Sequence, residues 1–528
     1  MLLERLIDGL NVTCADARHL EQRICDLTED SRTALPGSLF VARIGTQSRG
    51  TDYIDDAIDA GASAILIDEA HVEEIGVPRH VALLSTPDLQ ETVAELAERF
   101  FGDPGEALHL IGVTGTNGKT TVAHLVHQIM NDSDHRCGLI GTVWIDDGFE
   151  LARAQLTTPP AIELSHALSN MVESGCRAAV LEASSHALDQ RRVGGIQFNA
   201  AIFTNISGDH LDYHKTMEHY IASKARLFRG LRPEDLAIVS VDDARFMAML
   251  DGCPARVLTC SIDPARDADC QAIIEDRSLA GTTAAFIGPW GRIVTTLPLL
   301  GDHNVRNALQ AAAAAFNAGV DADAIARRLR SARPVPGRLE AVRRDTPTPD
   351  PFTVLVDYAH TDHALETALS SLQPLRPTAR SKIRLVFGCG GDRDATKRPR
   401  MMRVASRLAD DIIVTNDNPR TESPTSIFRD ILDGLPPEEA DKVSIQPDRQ
   451  RAIYDAVMRA APGDIVLVAG KGHETEQLLP DPRGGFVSRP FDDRLVAHQA
   501  LVTRFGERPD ADSRIRAEGN DEAGDEHS

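Results

Sequence analysis

The chain has 528 residues, of which 42% are hydrophobic and 26% are charged. This length exceeds what one hydrophobic core can organise, so we expect roughly two to four domains of ordinary globular composition. The net charge of -23 argues against a general nucleic-acid or membrane binder, because both need clustered basic residues. It leaves room for a local basic pocket that holds an anionic small molecule.

The scattered cysteines and the poor signal-peptide pattern favour a cytoplasmic protein. Glu4, Arg5 and Asp8 interrupt the apolar start, which is therefore a poor signal peptide, and no apolar run reaches the roughly 18 residues of a spanning helix. The eight cysteines form no C-x-x-C pair and are interpreted as reduced thiols. Residues 507–528 carry almost no large apolar side chain, which predicts a disordered acidic tail.

Glycine- and proline-rich stretches predict three folded regions, 1–106, 107–335 and 336–506, before that tail. The second and third regions repeat one pattern, a buried-type strand that opens into a polar loop. The pattern occurs at LHLIGV (108–113), AAVLEASSH (178–186), AAIFTNISGDH (200–210), FTVLVDYAH (352–360), IRLVFGCGGDRD (383–394), DIIVTNDNPR (411–420) and DIVLVAGKGHE (464–474). Such runs predict an α/β protein with parallel sheets covered by helices, in which ligands bind beyond the carboxyl ends of the strands.

The stretch LIGVTGTNGKTT (110–121) is similar to a phosphate-binding loop but has a different spacing. The usual pattern G-x-x-x-x-G-K-[ST] would place its first glycine at position 113, which is Val113. A strand, a glycine turn and a helix from about Lys119 nevertheless combine converging N–H groups, a helix N-terminus and a cation. The hydroxyl of Thr120 suits Mg²⁺, so we predict a phosphate cradle here.

Three further candidates are ambiguous by themselves. Glu182 at a strand end suits a phosphate-bound metal, or it is a solvated loop acid. His210 and His214 are four residues apart and could ligate zinc if helical, while His210 alone could serve a magnesium site and both could be structural. Lys224 in isolation is typical of a solvated helix lysine.

Taken in order, a set of motifs resembles the Mur ligases, the ATP-dependent amide-forming enzymes of bacterial cell-wall precursor synthesis. The motifs are TGTNGKT (114–120), TTP (157–159), EASSHALDQRR (182–192), TNISGDHLDYH (204–214), GDHNVRNALQA (301–311), PGRLE (336–340) and VDYAHT (356–361). The loop spacing is that family's own. FGCGGDRDATKRP (387–399), DNPR (417–420) and AGKGHE (469–474) resemble its diaminopimelate-adding branch.

The resemblance implies a three-domain architecture with a P-loop-type central ATPase domain and a doubly wound, Rossmann-like C-terminal domain. It also implies ATP as co-substrate and Mg²⁺ as cofactor. The γ-phosphate would pass to the terminal carboxylate of a UDP-muramoyl dipeptide, and an amine of meso-diaminopimelate would attack the resulting acyl phosphate. The implied partners are these small molecules, with no nucleic acid and no membrane, and the implied state is a monomer.

The resemblance also assigns site residues. The ATP-binding set is Gly115, Thr116, Asn117, Gly118, Lys119, Thr120, Thr121, Asn304, Arg338 and Asp357. The catalytic and metal-binding set is Lys119, Thr120, Glu182, His210 and Lys224, the last as a carbamylated lysine. The UDP-substrate set is Glu29, Ser31, Thr46, Gln47, Ser48, Leu156, Thr157, Thr158, Ser184, Gln190 and Arg192. The diaminopimelate set is Arg393, Asp417, Asn418, Pro419, Arg420, Gly470 and Glu474.

Within the last set, Arg420 is the candidate reader of the second carboxylate of diaminopimelate, because a planar guanidinium binds a carboxylate through two hydrogen bonds. The sequence departs from the family at Asp362, where proline is usual, at Leu156, where some relatives have asparagine, and at 240–243, which lacks an asparagine. The competing interpretations are a lysine-adding relative, a folate polyglutamate synthetase, or a P-loop switch that binds nucleotide without joining substrates.

Overall fold

The computed structural model describes residues 1–45, 49–131, 135–346 and 349–506. The chain divides into two units, described separately below. The first comprises Met1–Asp276, Gly281–Pro298 and Asp302–Arg333, and the second comprises Arg277–Ala280, Leu299–Gly301 and the described residues from Pro334 onward. Both are α/β, as the strand pattern predicts. No helix in the described ranges is both long and apolar enough to cross a bilayer.

The first unit opens with a five-stranded sheet in the order β1-β5-β4-β3-β2. Its strands are β1 (Thr13–Cys14), β2 (Asp26–Thr28), β3 (Ser38–Val41), β4 (Ala64–Asp68) and β5 (Ala82–Thr86). The helices of this region are α1 (Leu3–Ile7), α2 (Ile54–Asp59), α3 (Leu89–Phe100) and α4 (Pro104–Ala107). Strands β2 to β5 are parallel and β1 is antiparallel to β5, so the short first strand closes one edge.

An eleven-stranded sheet forms the rest of the first unit, in the order β16-β15-β14-β13-β12-β11-β6-β10-β7-β8-β9. Its strands are β6 (His109–Thr114), β7 (Cys137–Ile140), β8 (Trp144–Asp146), β9 (Leu151–Arg153), β10 (Ala178–Glu182), β11 (Ala200–Phe203), β12 (Leu236–Ser240), β13 (Arg256–Ser261), β14 (Cys270–Ser278), β15 (Gly281–Gly288) and β16 (Gly291–Leu297). The run from β7 through β6 to β13 is parallel, as predicted. The antiparallel hairpins β8–β9 and β15–β16 were not anticipated, because their strands alternate or are half exposed.

Eight helices accompany this sheet in the described chain: α5 (Lys119–Met130), α6 (Ala161–Glu173), α7 (Ser185–Asp189), α8 (Leu211–His214), α9 (Met217–Arg229), α10 (Phe246–Leu250), α11 (Asp302–Asn317) and α12 (Ala322–Arg330). Helix α5 begins at the predicted residue and buries Val122, Leu125, Val126 and Ile129, the apolar face given by its helical spacing. Burial of that face holds the helix N-terminus against the end of β6.

The second unit contains a six-stranded sheet in the order β17-β18-β22-β19-β20-β21. Its strands are β17 (Glu340–Val342), β18 (Thr353–Asp357), β19 (Ile383–Phe387), β20 (Asp411–Val414), β21 (Val443–Ile445) and β22 (Ile465–Ala469), followed by a hairpin of β23 (Glu476–Pro480) and β24 (Phe486–Pro490). Strands β18 to β22 are parallel and β17 is antiparallel to β18. The helices are α13 (Asp362–Leu372), α14 (Lys397–Leu408), α15 (Pro424–Leu432), α16 (Arg449–Arg459) and α17 (Asp493–Phe505).

Two hydrophobic clusters lie on opposite faces of this second sheet, because successive residues of a strand alternate between faces. Leu355 and Leu467 belong to one cluster, whereas Val354, Val356 and Val468 belong to the other. A sheet covered on both sides leaves its carboxyl edge as the exposed place for polar loops. The motifs from the third sequence region all emerge at that edge.

Candidate active site

The glycines of the loop between β6 and α5 are fixed by close approach to neighbouring elements. Gly115 has a φ of 144°, and a Cβ placed on it would lie 1.9 Å from Thr204 Oγ1. Gly118 has a φ of 89°, and its Cβ would lie 2.7 Å from Asn307 Oδ1. Any side chain at these two positions would clash and strain the backbone. The unusual spacing therefore belongs to a tightly packed turn.

Two lysines converge on that turn. Lys119 Nζ donates to the carbonyls of Gly115 and Thr116 at 3.0 and 2.9 Å, and Lys224 Nζ donates to the carbonyl of Gly115 at 2.8 Å. Lys224 is 1% exposed and lies 4.6 Å above the ring of Tyr220. Burial, with the nearby charge of Lys119, lowers the pKa of Lys224 well below its usual value. The isolated interpretation of Lys224 as a solvated helix lysine is wrong, because it faces the core side of α9.

Glu182, at the end of β10, is a fully buried carboxylate beside the loop. Thr120 Oγ1 donates to its Oε2 at 2.9 Å, while Thr142 donates through its backbone N–H at 2.7 Å and its hydroxyl at 3.0 Å. In the described part of the chain Glu182 forms no ion pair. A buried carboxylate held only by neutral donors, next to a hydroxyl, is a set of oxygen ligands that fits Mg²⁺.

Thr142 was not found by sequence reasoning. It follows the short strand β7 in an ordinary Gly-Thr pair, and no spacing or charge pattern distinguishes it from a turn residue. Its contact with Glu182 arises because β7 pairs with β10 in the sheet.

His210 precedes α8 with a left-handed φ of 54°, so His210 and His214 do not share a helical face. The condition for the zinc interpretation of this pair is not met. The ring of His210 packs edge-on against His186 at 4.8 Å. Burial lowers the pKa of His210 to about 4. The charge of Asp209 raises this pKa, whereas His186 and Lys119 lower it further. The imidazole is thus neutral at pH 7 and has a lone pair to offer a cation.

A different set of metal-ligand type lies nearby, formed by Asp189, His214 and His219, whose ligand atoms are within 4.8 Å of one another. Asp189 already accepts a hydrogen bond of 3.0 Å from the hydroxyl of Tyr213 and lies 3.4 Å from the guanidinium of Arg226. Because this carboxylate is satisfied and its charge is balanced, we assign no metal to it.

Four of the predicted UDP-substrate residues form one hydrogen-bonded chain next to Glu182. Thr158 Oγ1 donates to the backbone carbonyl of Glu182 at 2.5 Å and accepts from the N–H of Ser184 at 3.2 Å. Arg192 donates to the carbonyl of Thr158 at 2.7 Å and to Gln190 Oε1 at 3.1 and 2.8 Å. Burial lowers the pKa of Arg192.

The remaining members of that set differ in how they are placed. Thr157 Oγ1 accepts a hydrogen bond of 3.1 Å from Thr142, whereas Leu156 is 48% exposed. Ser31 is half-buried at the start of a short turn. Thr46, Gln47 and Ser48 lie outside the described residues.

Glu29 connects the first sheet to this cluster. Its carboxylate lies 2.5 Å from the guanidinium of Arg43. Burial raises the pKa of Glu29, while the positive charges of Arg43 and Arg192 lower it. The structure therefore brings Glu29 and Arg192 into electrostatic range across about 160 residues of sequence.

The predicted nucleotide residues fall in both units. Asn304 is buried in the first unit, where its Oδ1 accepts a hydrogen bond of 3.2 Å from Asn307. In the second unit the guanidinium of Arg338 lies 4.5 Å over the ring of Tyr358. Asp357 accepts hydrogen bonds from two backbone N–H groups, and burial raises its pKa while Arg338 lowers it. Tyr358 is a contact that the sequence analysis missed.

The predicted diaminopimelate residues lie in the loops that follow β19, β20 and β22. Arg420 has a φ of 52°, is half-buried and donates through Nη1 to the carbonyl of Gly391 at 2.8 Å. Burial, followed by the charge of Arg393, lowers the pKa of Arg420. A Cβ on Gly470 would lie 2.5 Å from Asp417 Oδ2, so these two loops touch.

The same two loops are joined by a buried lysine that sequence analysis did not single out. Lys471 is fully buried, and its Nζ contacts Asn418 and Glu474. A Cβ on Gly391 would lie 2.0 Å from the carbonyl oxygen of Pro419. Position 391 therefore requires glycine. The exposed Arg393 stands at the rim of this group.

A glycine loop between a parallel strand and a helix, with a buried carboxylate beside its threonine, defines a P-loop-type α/β protein. Three family models match the chain in order. They are the Mur ligase family catalytic domain at residues 24–101, the Mur ligase middle domain at 113–315, and the Mur ligase glutamate ligase domain at 337–472.

Similar proteins extend over nearly the whole chain. A UDP-N-acetylmuramoyl-L-alanyl-D-glutamate--2,6-diaminopimelate ligase of Gloeobacter violaceus is 41% identical over 505 residues, covering 95% of this chain and 98% of the relative. One of the same name from Halalkalibacterium halodurans is 40% identical over 479 residues, covering 90% and 94%. The chain therefore belongs to the Mur ligase family.

Solved structures agree with this assignment and with a three-domain Mur ligase fold. The structure of a UDP-N-acetylmuramoyl-L-alanyl-D-glutamate--2,6-diaminopimelate ligase matches with a TM-score of 0.66 and 32% identity, covering 95% of this chain and 99% of that one. The MurF ligase of Thermotoga maritima in complex with ADP matches with a TM-score of 0.59 and 18% identity, covering 92% and 97%. At this lower identity the likeness concerns the fold.

Proposed function

We propose that this chain is an ATP-dependent ligase that joins 2,6-diaminopimelate to UDP-N-acetylmuramoyl-L-alanyl-D-glutamate in peptidoglycan precursor synthesis. The observation that carries the proposal is the 41% identity over 505 residues to a ligase of that name, which spans the phosphate loop and the arginine loop alike. The meso stereochemistry of the diamino acid, the three domain boundaries predicted above, a monomeric state and a cytoplasmic location are part of the same proposal.

The phosphate loop would bind the triphosphate of ATP. The first turn of α5 directs backbone N–H groups and the positive end of its dipole toward the loop, and Lys119 adds a positive charge. The ammonium of Lys119 donates to two loop carbonyls, and on nucleotide binding it would exchange them for phosphate oxygens. Asn304, Arg338 and Asp357 are the other residues that would contact the nucleotide.

Thr120, Glu182 and His210 would hold Mg²⁺, together with a carbamylated Lys224. When bound, the ion would neutralise negative charge on the phosphoryl group during transfer. The lowered pKa of His210 leaves its imidazole a lone pair for a cation, and the buried side chain of Glu182 places its oxygens beside the Thr120 hydroxyl.

Lys224 is suited to carbamylation because its environment favours the neutral amine. The unprotonated nitrogen attacks carbon dioxide, a C–N bond forms, and one proton is released as the carbamate anion appears. Burial lowers the pKa of Lys224 and so raises the fraction of that nitrogen in the unprotonated form. The carbamate would turn a buried cation into an anion with oxygen ligands.

The chemical step would begin with attack by the D-glutamyl carboxylate on the γ-phosphorus of ATP, releasing ADP. The amine of diaminopimelate would then attack the acyl carbon, and the C–O bond to phosphate would break. Thr157, Thr158, Ser184, Gln190 and Arg192 would position the muramoyl dipeptide, since their hydrogen-bonded chain adjoins Glu182. Exclusion of water would protect the acyl phosphate from hydrolysis.

An isotope-transfer experiment tests this reaction. The D-glutamyl carboxylate is labelled with ¹⁸O and incubated with ATP, diaminopimelate and the protein. The proposal predicts that one labelled oxygen moves to inorganic phosphate for each amide formed. Amide formation with unlabelled phosphate would exclude the acyl phosphate, and phosphate release without an amide would exclude the ligase.

A further inference from the structure

The loop after the central strand β22 contains a fully buried cation. Lys471 has no exposed surface, and within the described ranges its ammonium donates to Asn418 Oδ1 at 3.0 Å and to Glu474 Oε2 at 2.8 Å. A charge removed from water is stable only when it is paired and hydrogen-bonded. Both of its partners belong to the residues assigned above to diaminopimelate.

The hydrogen bonds around Lys471 use up most of the polar atoms of Asn418. Its Oδ1 accepts from Lys471 and, at 3.0 Å, from the backbone N–H of Leu478, while its Nδ2 donates to Glu474 Oε2 at 2.9 Å. Asn418 is a buried residue, with 6% of its surface exposed. Asn418 therefore links the loop after β20 to the loop after β22 through hydrogen bonds.

Glu474 is left with one committed oxygen and one available oxygen. Its Oε2 accepts from both Lys471 and Asn418, whereas its Oε1 accepts no hydrogen bond in the described part of the chain. Its side chain is 34% exposed, so Oε1 can be reached from outside. A carboxylate fixed in this way presents a single oriented acceptor to an ammonium group.

We propose that Lys471 is a positioning residue for the diamino acid, acting through Glu474. The buried ammonium locks Glu474 Oε2 and Asn418 in one geometry, so that Glu474 Oε1 meets an ammonium group of the substrate while Arg420 meets its far carboxylate. Arg420 is tied to the same assembly, because its backbone N–H donates to the carbonyl of Leu478 at 3.1 Å. This inference rests on the proposed function.

The role predicts a selective kinetic effect. Lys471→Met removes the ammonium but keeps the length of the side chain, so Glu474 loses its anchor. We expect the KM for diaminopimelate to rise at least tenfold, while kcat changes less than threefold and the dissociation constant for ADP stays within twofold. Lys382→Met is the matched control, because Lys382 is an exposed lysine of the same unit, and it should match the parent. A merely structural lysine would instead weaken ADP binding and diaminopimelate use together.

A double-mutant cycle with Glu474→Gln tests whether Lys471 acts through Glu474. If it does, Lys471→Met adds less than threefold to the KM of a protein that already carries Glu474→Gln, because no carboxylate remains to be positioned. This comparison uses only Glu474→Gln and the double variant, so it stands even if Lys471→Met alone does not fold. The proposal would be overturned if the fold-increase in the diaminopimelate KM of the double variant equalled the product of the two single-variant increases. It would also be overturned if the diaminopimelate KM of Lys471→Met lay within twofold of the parent value. A parent that makes no amide from diaminopimelate would instead refute the proposed function.

Discussion

Replacing Arg420 by alanine should impair the use of diaminopimelate much more than the use of ATP. Nη1 of Arg420 donates to Gly391 and the guanidinium is half-buried, so its Nη2 and Nε edge is the part that can face a carboxylate. Hydrogen bonds to charged groups contribute roughly 1.5–3 kcal/mol each, and partial exposure reduces two such bonds to a total of about 2–3 kcal/mol. That loss corresponds to a fall in kcat/KM for diaminopimelate of roughly 30- to 150-fold.

The assay is initial-rate measurement of amide formation at saturating ATP and UDP-muramoyl dipeptide, with diaminopimelate and lysine varied separately. Lysine lacks the far carboxylate, so its weak use should change less than twofold in the variant. Arg420→Lys keeps the charge but loses the planar fork and should fall about tenfold. Arg380→Ala removes an exposed arginine of the same unit and should behave as the parent. Equal kcat/KM for diaminopimelate in Arg420→Ala and parent would refute the reasoning.

Three further predictions concern the first unit. Gly115→Ala places a methyl group 1.9 Å from Thr204 Oγ1 at a φ of 144°, so ADP affinity measured by calorimetry should fall at least tenfold, whereas Gly76→Ala, which meets nothing within 4 Å, should leave it unchanged. Lys224→Met should lower kcat by about two orders of magnitude. It should also abolish a carbamate signal seen by ¹³C NMR with labelled bicarbonate in the parent, and a parent without that signal would contradict carbamylation. Burial lowers the pKa of His214 to about 4. The pKa of an unfolded histidine is about 6.5, so between pH 6.5 and pH 4 the unfolded chain binds a proton that the folded chain does not. The free energy of unfolding therefore falls by about 3 kcal/mol as the pH drops through that range. Urea unfolding of His214→Phe should show a shallower loss from pH 7 to pH 4.5, and an unchanged slope would contradict this assignment.

The positions of the strands and of the phosphate loop could be predicted because their signals are local. Four-residue apolar runs such as Ala200–Phe203 are buried on both faces, and a helix beginning at Lys119 follows from its apolar spacing. The antiparallel hairpins were missed because strand Gly291–Leu297 is half exposed and joins the edge of an existing sheet. Its pairing depends on a partner that no local pattern specifies.

The candidate site was predicted unevenly for a related reason. Glu182 stands at a strand end and carries a charge, so the sequence points to it, whereas Thr142 reaches Glu182 only through the pairing of β7 with β10. The burial of Lys224 and of Lys471 is a property of tertiary packing, since a lysine in a helix or loop is ordinarily solvated. Resemblance to a family pointed to Lys224, and only the structure pointed to Lys471.

The most direct test of the central claim is a coupling assay with purified protein, ATP, Mg²⁺, UDP-N-acetylmuramoyl-L-alanyl-D-glutamate and a panel of diamino acids, followed by mass spectrometry of the product. The account predicts a UDP-muramoyl tripeptide with diaminopimelate, one phosphate released per amide, and almost no phosphate when any substrate is omitted. Steady ATP hydrolysis without the diamino acid, or equal use of lysine and diaminopimelate, would contradict it.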